Sequence, residues 1–501
     1  MSDRLSRSLR RRELLKVVGA GVALAGVTPL LQACGAPAPT PTPAPAAPKP
    51  ADKPAAAAPT PTPAPKAAEP KPAAATPTPA AAAQPAKTAR KTAELWTGFD
   101  PKTHGRVGEA YDKIIKDFNA ANAEYEVKHV IVPWGEIVTK VTASVAAGNP
   151  PDAFRHWFHS MGSLAQAGAL APLDSYVTRD AGEWKPDDIW AAAREQAKYR
   201  GKTYAAPISC IVQLMWMNLD RAAEKGLKTD PLPTTLEGWE ELGHQMTEVG
   251  GDKKITKLGF CPFVVAPVLQ WPAVFGAWNV YDGETDRFNA ATPEMIRTYE
   301  WIKSYADRYG GQNLIAWRDS YSSGTFGRFT ADGPVYTGLL GMAALSTWWF
   351  ADIAHYAPKM KYAFDATPPP KDVANYRASN LNTNMYSIPA KAKNPDGGWA
   401  WLKYLTGPKA MAEKAAADQV TPARESIATT PDFKKAQPVL ARAAEKVLPK
   451  AWPTPGFRSF SVMSRELTTA VDEVVLGRKA VKQALEAVTN VVKADMEKKP
   501  A

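Results

Sequence analysis

From residue 92 onward, short apolar runs alternate with longer segments in which apolar positions recur every three to four residues. Glu94–Trp96, Val127–Val132 and Ala153–Trp157 have the length and composition of strands. Between them lie two amphipathic segments, Gly108–Asn119 and Trp134–Ala147. In the first, Tyr111, Ile114, Ile115 and Phe118 share one helical face. This alternation predicts β/α units on a parallel-type sheet. A further α/β unit is expected where Tyr204–Pro207 leads into the apolar run Ile208–Met217, after which Asn218-Leu219-Asp220 opens a helix that Asp220 would cap. Thr235, ahead of Glu237 to Glu240, marks another capped helix start. At the C-terminal end, Leu467, Val471, Val474 and Val475 precede Gly477, and Val481, Leu485, Val488 and Val492 follow it at helical spacing.

The first 91 residues have no such pattern. A basic start, Arg10-Arg11-Arg12-Glu13-Leu14-Leu15-Lys16, precedes an apolar run from Val17 to Leu31 diluted by Gly19, Gly21 and Gly26. That is the layout of an export signal, since a membrane span needs about 20 strongly apolar residues. Arg11-Arg12 with Glu13 to Lys16 resembles a twin-arginine signal, although Arg10 stands where Ser or Thr is usual. The run closes on Leu31-Gln32-Ala33-Cys34, which resembles a lipobox with Cys34 as the lipid-bearing first residue of the mature chain. The alternative is a stray cysteine behind an ordinary signal. Diacylation with an added amide-linked chain exceeds what stable anchoring requires. From Gly35 to about Lys91 the chain is Pro, Ala and Thr with a few Lys, including Pro-Thr-Pro-Thr-Pro at 39–43 and 59–63. No core can form there, and a polyproline II stretch at about 3.1 Å per residue would reach on the order of 150 Å as a disordered, semi-rigid tether.

Charge takes on a different meaning after this partition. The whole chain carries +11, of which residues 1–33 hold +4 and residues 34–91 hold +5, so the body keeps +2. That excludes a nucleic-acid surface or a basic membrane face, and any membrane contact is through the lipid alone. Cys210 and Cys261 both lie in apolar stretches and are either buried thiols or one disulfide. Folding before export in a reducing cytosol favours thiols. Of the six His, only His156-x-x-His159 form a close pair, and without a third ligand they do not make a metal site. No Gly-x-Ser-x-Gly elbow, phosphate loop or dinucleotide fingerprint is present, so no cofactor and no catalytic residue is expected.

Several motifs, in order, resemble the family of extracellular solute-binding proteins that includes maltose-binding protein. Gly148-Asn149-Pro150-Pro151-Asp152, followed by Gly168-Ala169-Leu170-Ala171-Pro172-Leu173, is similar to its "GxxPDxx…GxLxPL" signature. Gly201-Lys202-Thr203-Tyr204 through Pro207 to Asn218 is similar to "GKxYxxP…YN", and Pro233 to Trp239 to the "PxTWdE" helix start. Gly341-Met342 through Trp348, Pro389 to Asn394 with Trp399 to Leu405, Pro422-Ala423-Arg424, and Gly477 with Ala484-Leu485 match later blocks. Two departures fall at ligand positions: Trp216-Met217-Asn218 replaces the usual Tyr-Asn run, and Ser346 replaces a Gly. The resemblance implies an α/β, two-lobed periplasmic-binding-protein-like fold with a hinge and an interlobe cleft. The first lobe would take residues 92–207 and 360–421, the second 208–359 and 422–495. It also implies capture of a small polar solute, a mono- or oligosaccharide, for the permease subunits of an ABC importer.

A sugar presents apolar C–H faces and hydroxyl edges, so its site needs flat aromatic platforms and a few polar partners. All 16 Trp lie in the body. First-lobe candidates are Trp96 and Asp100 after the first strand, Trp134 after the second, and His156 or Trp157 within Arg155-His156-Trp157-Phe158-His159 at the end of the third. Strand alternation turns only one of His156 and Trp157 toward a given face. Second-lobe candidates are Trp216, Trp271 and above all Trp348, whose block in relatives supplies a Trp that stacks on sugar. Trp239, Trp301, Trp399 and Trp401 fall in helical patterns and belong to packing. Two rival classes remain: a carbohydrate-active enzyme, which needs only two carboxylates, and a surface binding or adhesive protein that transports nothing. The order-matched blocks favour capture.

Overall fold

The structure, a computed structural model, describes residues 89–265, 268–283, 285–321 and 330–498. The export signal, Cys34 and the tether up to residue 88 lie outside them. The chain opens with β1 (Lys91–Thr97), α1 (Gly105–Ala121), β2 (Tyr125–Ile131), α2 (Ile137–Ala146), β3 (Ala153–Trp157) and α3 (Phe158–Gln166). Both β2 and β3 pair with β1 in parallel. The apolar face of α1 is buried through Tyr111, Ile114, Ile115 and Phe118, as its spacing predicts.

The run Ile208–Met217 is not one strand. It divides at Val212 into β4 (Ala206–Ile211), in the larger sheet, and β5 (Gln213–Asn218), in a smaller one. Both strands are almost wholly buried, so no polar alternation marks the break. Helix α4 (Leu219–Glu224) follows, and its cap is Asn218 rather than Asp220. Asn218 has the extended backbone of a cap and accepts the Arg221 N–H at 3.1 Å. Asp220 is already helical and accepts the Lys361 N–H instead. Thr235 caps α5 (Leu236–Met246) through the Gly238 N–H.

After α6 (Pro293–Tyr309), β6 (Met342–Ser346), α7 (Trp349–Tyr356) and β7 (Tyr362–Asp365) complete the smaller sheet, in which β5 is central and both neighbours are antiparallel. Because β7 still belongs there, the return to the larger sheet comes after residue 365, later than the crossing expected near 360. It comes with β8 (Ser379–Ser387), which pairs antiparallel to β3 and β4 and makes the larger sheet mixed rather than parallel. Helices α8 (Pro395–Leu405) and α9 (Pro408–Asp418) then cover α1, and β9 (Thr421–Pro422) and β10 (Ala451–Pro453) finish that sheet. Among the described residues it holds seven strands, in the order β9-β4-β8-β3-β1-β2 with β10 on β8. The larger sheet thus keeps the chain as late as Pro453, beyond the crossing expected near Pro422.

One apolar core runs from Leu95 and Phe118 beside the larger sheet to Trp216 and Met342 in the smaller. A second core joins α6 to the closing pair α10 (Phe460–Val475) and α11 (Val481–Met496). Cys210 and Cys261 are both free, buried thiols, and burial pushes both pKa values up. Among the described residues no helix is long and apolar enough to cross a membrane.

Candidate ligand-binding site

Since β1, β2 and β3 are parallel, their carboxyl ends lie along one edge, the edge at which open α/β sheets hold ligands. Each strand delivers an aromatic residue there: Phe99 after β1, Trp134 after β2, and Trp157 at the end of β3. Their rings form a continuous series. Phe99 meets Trp134 edge-on at 4.6 Å, Trp134 meets Trp157 at 5.6 Å, and Trp157 stacks on His159 at 5.7 Å. His159 in turn stacks on Phe460, the first residue of α10, at 6.0 Å. Gly98 makes room for this arrangement, because a Cβ there would lie 2.4 Å from Cδ2 of Trp134.

Inside the series sits Arg155, whose guanidinium carbon lies 4.3 Å from the Trp134 ring centre and 4.9 Å from those of Phe99 and Trp157. Past His159 and Phe460 opens a cavity of about 520 Å³ bordered by Ser461, Ser464, Arg465 and Thr468. Flat ring faces beside hydroxyls and a guanidinium suit a solute with apolar faces and polar edges.

The residues expected from sequence divide sharply. Trp134 and Trp157 are half-buried members of the ring series. Asp100 is near it, half-buried, but its Oδ1 accepts the Lys102 N–H at 2.8 Å and so holds its own turn. Trp96, also half-buried, donates its indole N–H to Glu94 at 2.7 Å. His156 is fully buried on the opposite face of β3 from Arg155 and Trp157. Its Nε2 lies 2.7 Å from Ser387 Oγ and its Nδ1 3.1 Å from the Trp157 carbonyl. Burial lowers its pKa to about 3, so the imidazole is neutral. Trp271 is core as well: every residue of its short helix is buried, and its indole N–H donates to the Pro262 carbonyl. Trp216 is completely buried in β5.

Trp348 is half-buried at the start of α7 and stacks on Trp349 at 5.4 Å, apart from the ring series. It follows a polar cluster at the crossing from β4 to β5. There Ser346 donates to Gln213 Oε1 at 2.6 Å, while Gln213 Nε2 and Thr347 Oγ1 are buried without partners. These unmet groups, together with Arg155 and Phe460, are what sequence reasoning missed. Gln213 and Arg155 did carry a signal, each being a polar residue inside an apolar strand. Phe460 carried none, because only the fold brings α10 to α3.

The sequence profile of the family described as bacterial extracellular solute-binding protein matches residues 113–441. A binding protein of Brucella abortus is 22% identical over 306 residues, covering 60% of this chain and 69% of the relative. The maltotriose-binding protein of Pyrococcus abyssi is 23% identical over 220 residues, 44% of each chain. Among solved structures, CpMnBP1 with mannotriose bound aligns with a TM-score of 0.65 at 21% identity, over 80% of this chain and 100% of that one. The cyclic α-maltosyl-1,6-maltose binding protein from Arthrobacter globiformis gives 0.65 at 19% identity, over 81% and 99%. At such identities the structural likeness establishes the fold.

Proposed function

The chain belongs to the bacterial extracellular solute-binding proteins, and from that premise we propose that it captures a mono- or oligosaccharide outside the cytoplasmic membrane and delivers it to the permease subunits of an ABC importer. The observation that carries this reading is the ring series at the carboxyl edge of β1–β3, bordered by a cavity with serine, threonine and arginine side chains in its lining. Relatives support it, being named for maltotriose or cyclic maltosyl-maltose, or solved with mannotriose bound. Ligand binding draws together two lobes, with Trp134 and Trp157 on the first and Trp348, above the unpartnered Gln213 and Thr347, on the second. The protein is a binder and not an enzyme, and lipid on Cys34 holds it at the membrane.

Tryptophan fluorescence titrated with sugars, amino acids and oligopeptides tests this. A saturable change with saccharides alone, and no product by chromatography, is the expected result. Saturation by peptides or amino acids instead would overturn the solute class, and released product would make the protein an enzyme.

A further inference from the structure

Arg155 is 5% exposed, yet no hydrogen bond or ion pair to its guanidinium is present among the described residues, and its Nε is buried with no acceptor. Isolated buried charge is strongly unfavourable, and a buried arginine normally has a carboxylate or carbonyls to meet it. Three aromatic rings surround this one, which offsets part of the cost but leaves the Nε–H without an acceptor.

Nor does a carboxylate among the described residues pair with it. Asp418, whose charge like that of Arg155 acts on the buried Tyr111 and Tyr386 hydroxyls, is already paired with the fully buried Lys414. Asp100 is engaged by the Lys102 N–H. Neither carboxylate hydrogen-bonds Arg155, which lies at the edge where ligand is expected.

We propose that the captured saccharide is acidic, and that the carboxylate of a uronic acid unit pairs with the Arg155 guanidinium beside the rings of Trp134 and Trp157. The proposal rests on the sugar-binding reading above. A planar carboxylate matches the fork of guanidinium N–H donors. The rings then cover the sugar's apolar face while its acid group supplies the missing anion.

Calorimetric titration of the full chain with digalacturonate and with galactobiose, its neutral counterpart, decides the matter, and galactose 6-sulfate serves as a tetrahedral anion. A charge-assisted contact of this kind should make digalacturonate bind roughly 10- to 100-fold more tightly than galactobiose. Arg155→Met should abolish that difference, and Arg155→Lys should keep part of it. Without ligand, Arg155→Met should melt no lower than the parent, because an apolar replacement for an unpaired buried charge is often neutral or stabilising.

Equal affinity for the two disaccharides in the parent protein would overturn the proposal and leave sugar capture standing. Preference for the sulfate over the uronate would overturn the carboxylate assignment. If Arg155→Met lowers the melting temperature and weakens both disaccharides alike, Arg155 is only a clamp for the rings. If no saccharide binds while another solute class does, the sugar reading itself fails.

Discussion

Buried against Ser387 and without a counter-charge, the His156 imidazole must stay neutral for β3 and β8 to remain packed. Its folded pKa of about 3 lies below the ordinary value of 6.5, so the unfolded chain binds the extra proton first as pH falls. The stability held by the neutral ring is complete above about pH 6.5 and declines progressively toward pH 3. At pH 5 the loss should be on the order of 2 kcal/mol. Thermal melts of the parent and of His156→Gln between pH 7.5 and 5 should show a steeper decline for the parent, and parallel curves would mean that His156 does not titrate as its burial requires. The tryptophans separate on a second test. Trp157→Ala and Trp348→Ala should each weaken saccharide binding by roughly 10- to 1000-fold, or about 1.4 to 4 kcal/mol, with little change in melting temperature. Trp271→Ala should instead cost about 3 to 5 kcal/mol of stability, since its ring is enclosed by Phe260 and Trp301. Titration and melting of the three variants assign each ring to ligand or to core.

Elements meet at this edge with little slack, and glycine sets the clearance. Gly98 lies under the Trp134 indole, where even a methyl group would overlap the ring. Gly98→Ala should push Trp134 out of line with Phe99 and Trp157, costing about 1 to 3 kcal/mol as overpacking does and reducing affinity in the same variant. A fluorescence titration that leaves affinity at the parent value would detach Trp134 from the site. At this scale the sequence was most legible in the opening β/α run, where apolar strands and a four-residue helical face repeat without interruption. It was least legible where burial on both faces erased the pattern, so that β4 and β5 read as one run. The mixed direction of the larger sheet was also hidden, because nothing local in Ser379–Ser387 records which strands it will join. The candidate site divides along the same line. Trp134 and Trp157 could be placed at the strand ends because they follow strands, whereas the burial of Trp271 was hidden because a short buried helix has no periodicity to reveal its inward face.

For the whole molecule, the two sheets are linked by chain passing at Val212 and again between residues 365 and 379. Such paired strand-to-strand links let two bodies rotate by small backbone changes at the crossings, which is the hinge type of closure. Polar groups gather at the first crossing: Gln213 and Thr347 hold buried atoms without partners, one residue from Trp348 in the second case. A ligand that satisfies them from one side and lies against Trp157 on the other gains contacts only when the lobes come together, so binding and closure are thermodynamically linked. Saturating saccharide should therefore do two things at once. It should raise stability by about 2.7 kcal/mol at a hundredfold excess over Kd, and it should reduce the radius of gyration of the body in small-angle scattering. Both curves should follow the same concentration dependence as tryptophan fluorescence. Stabilisation without compaction would place the ligand on one lobe alone, beside the ring series, and remove Trp348 and Gln213 from the site.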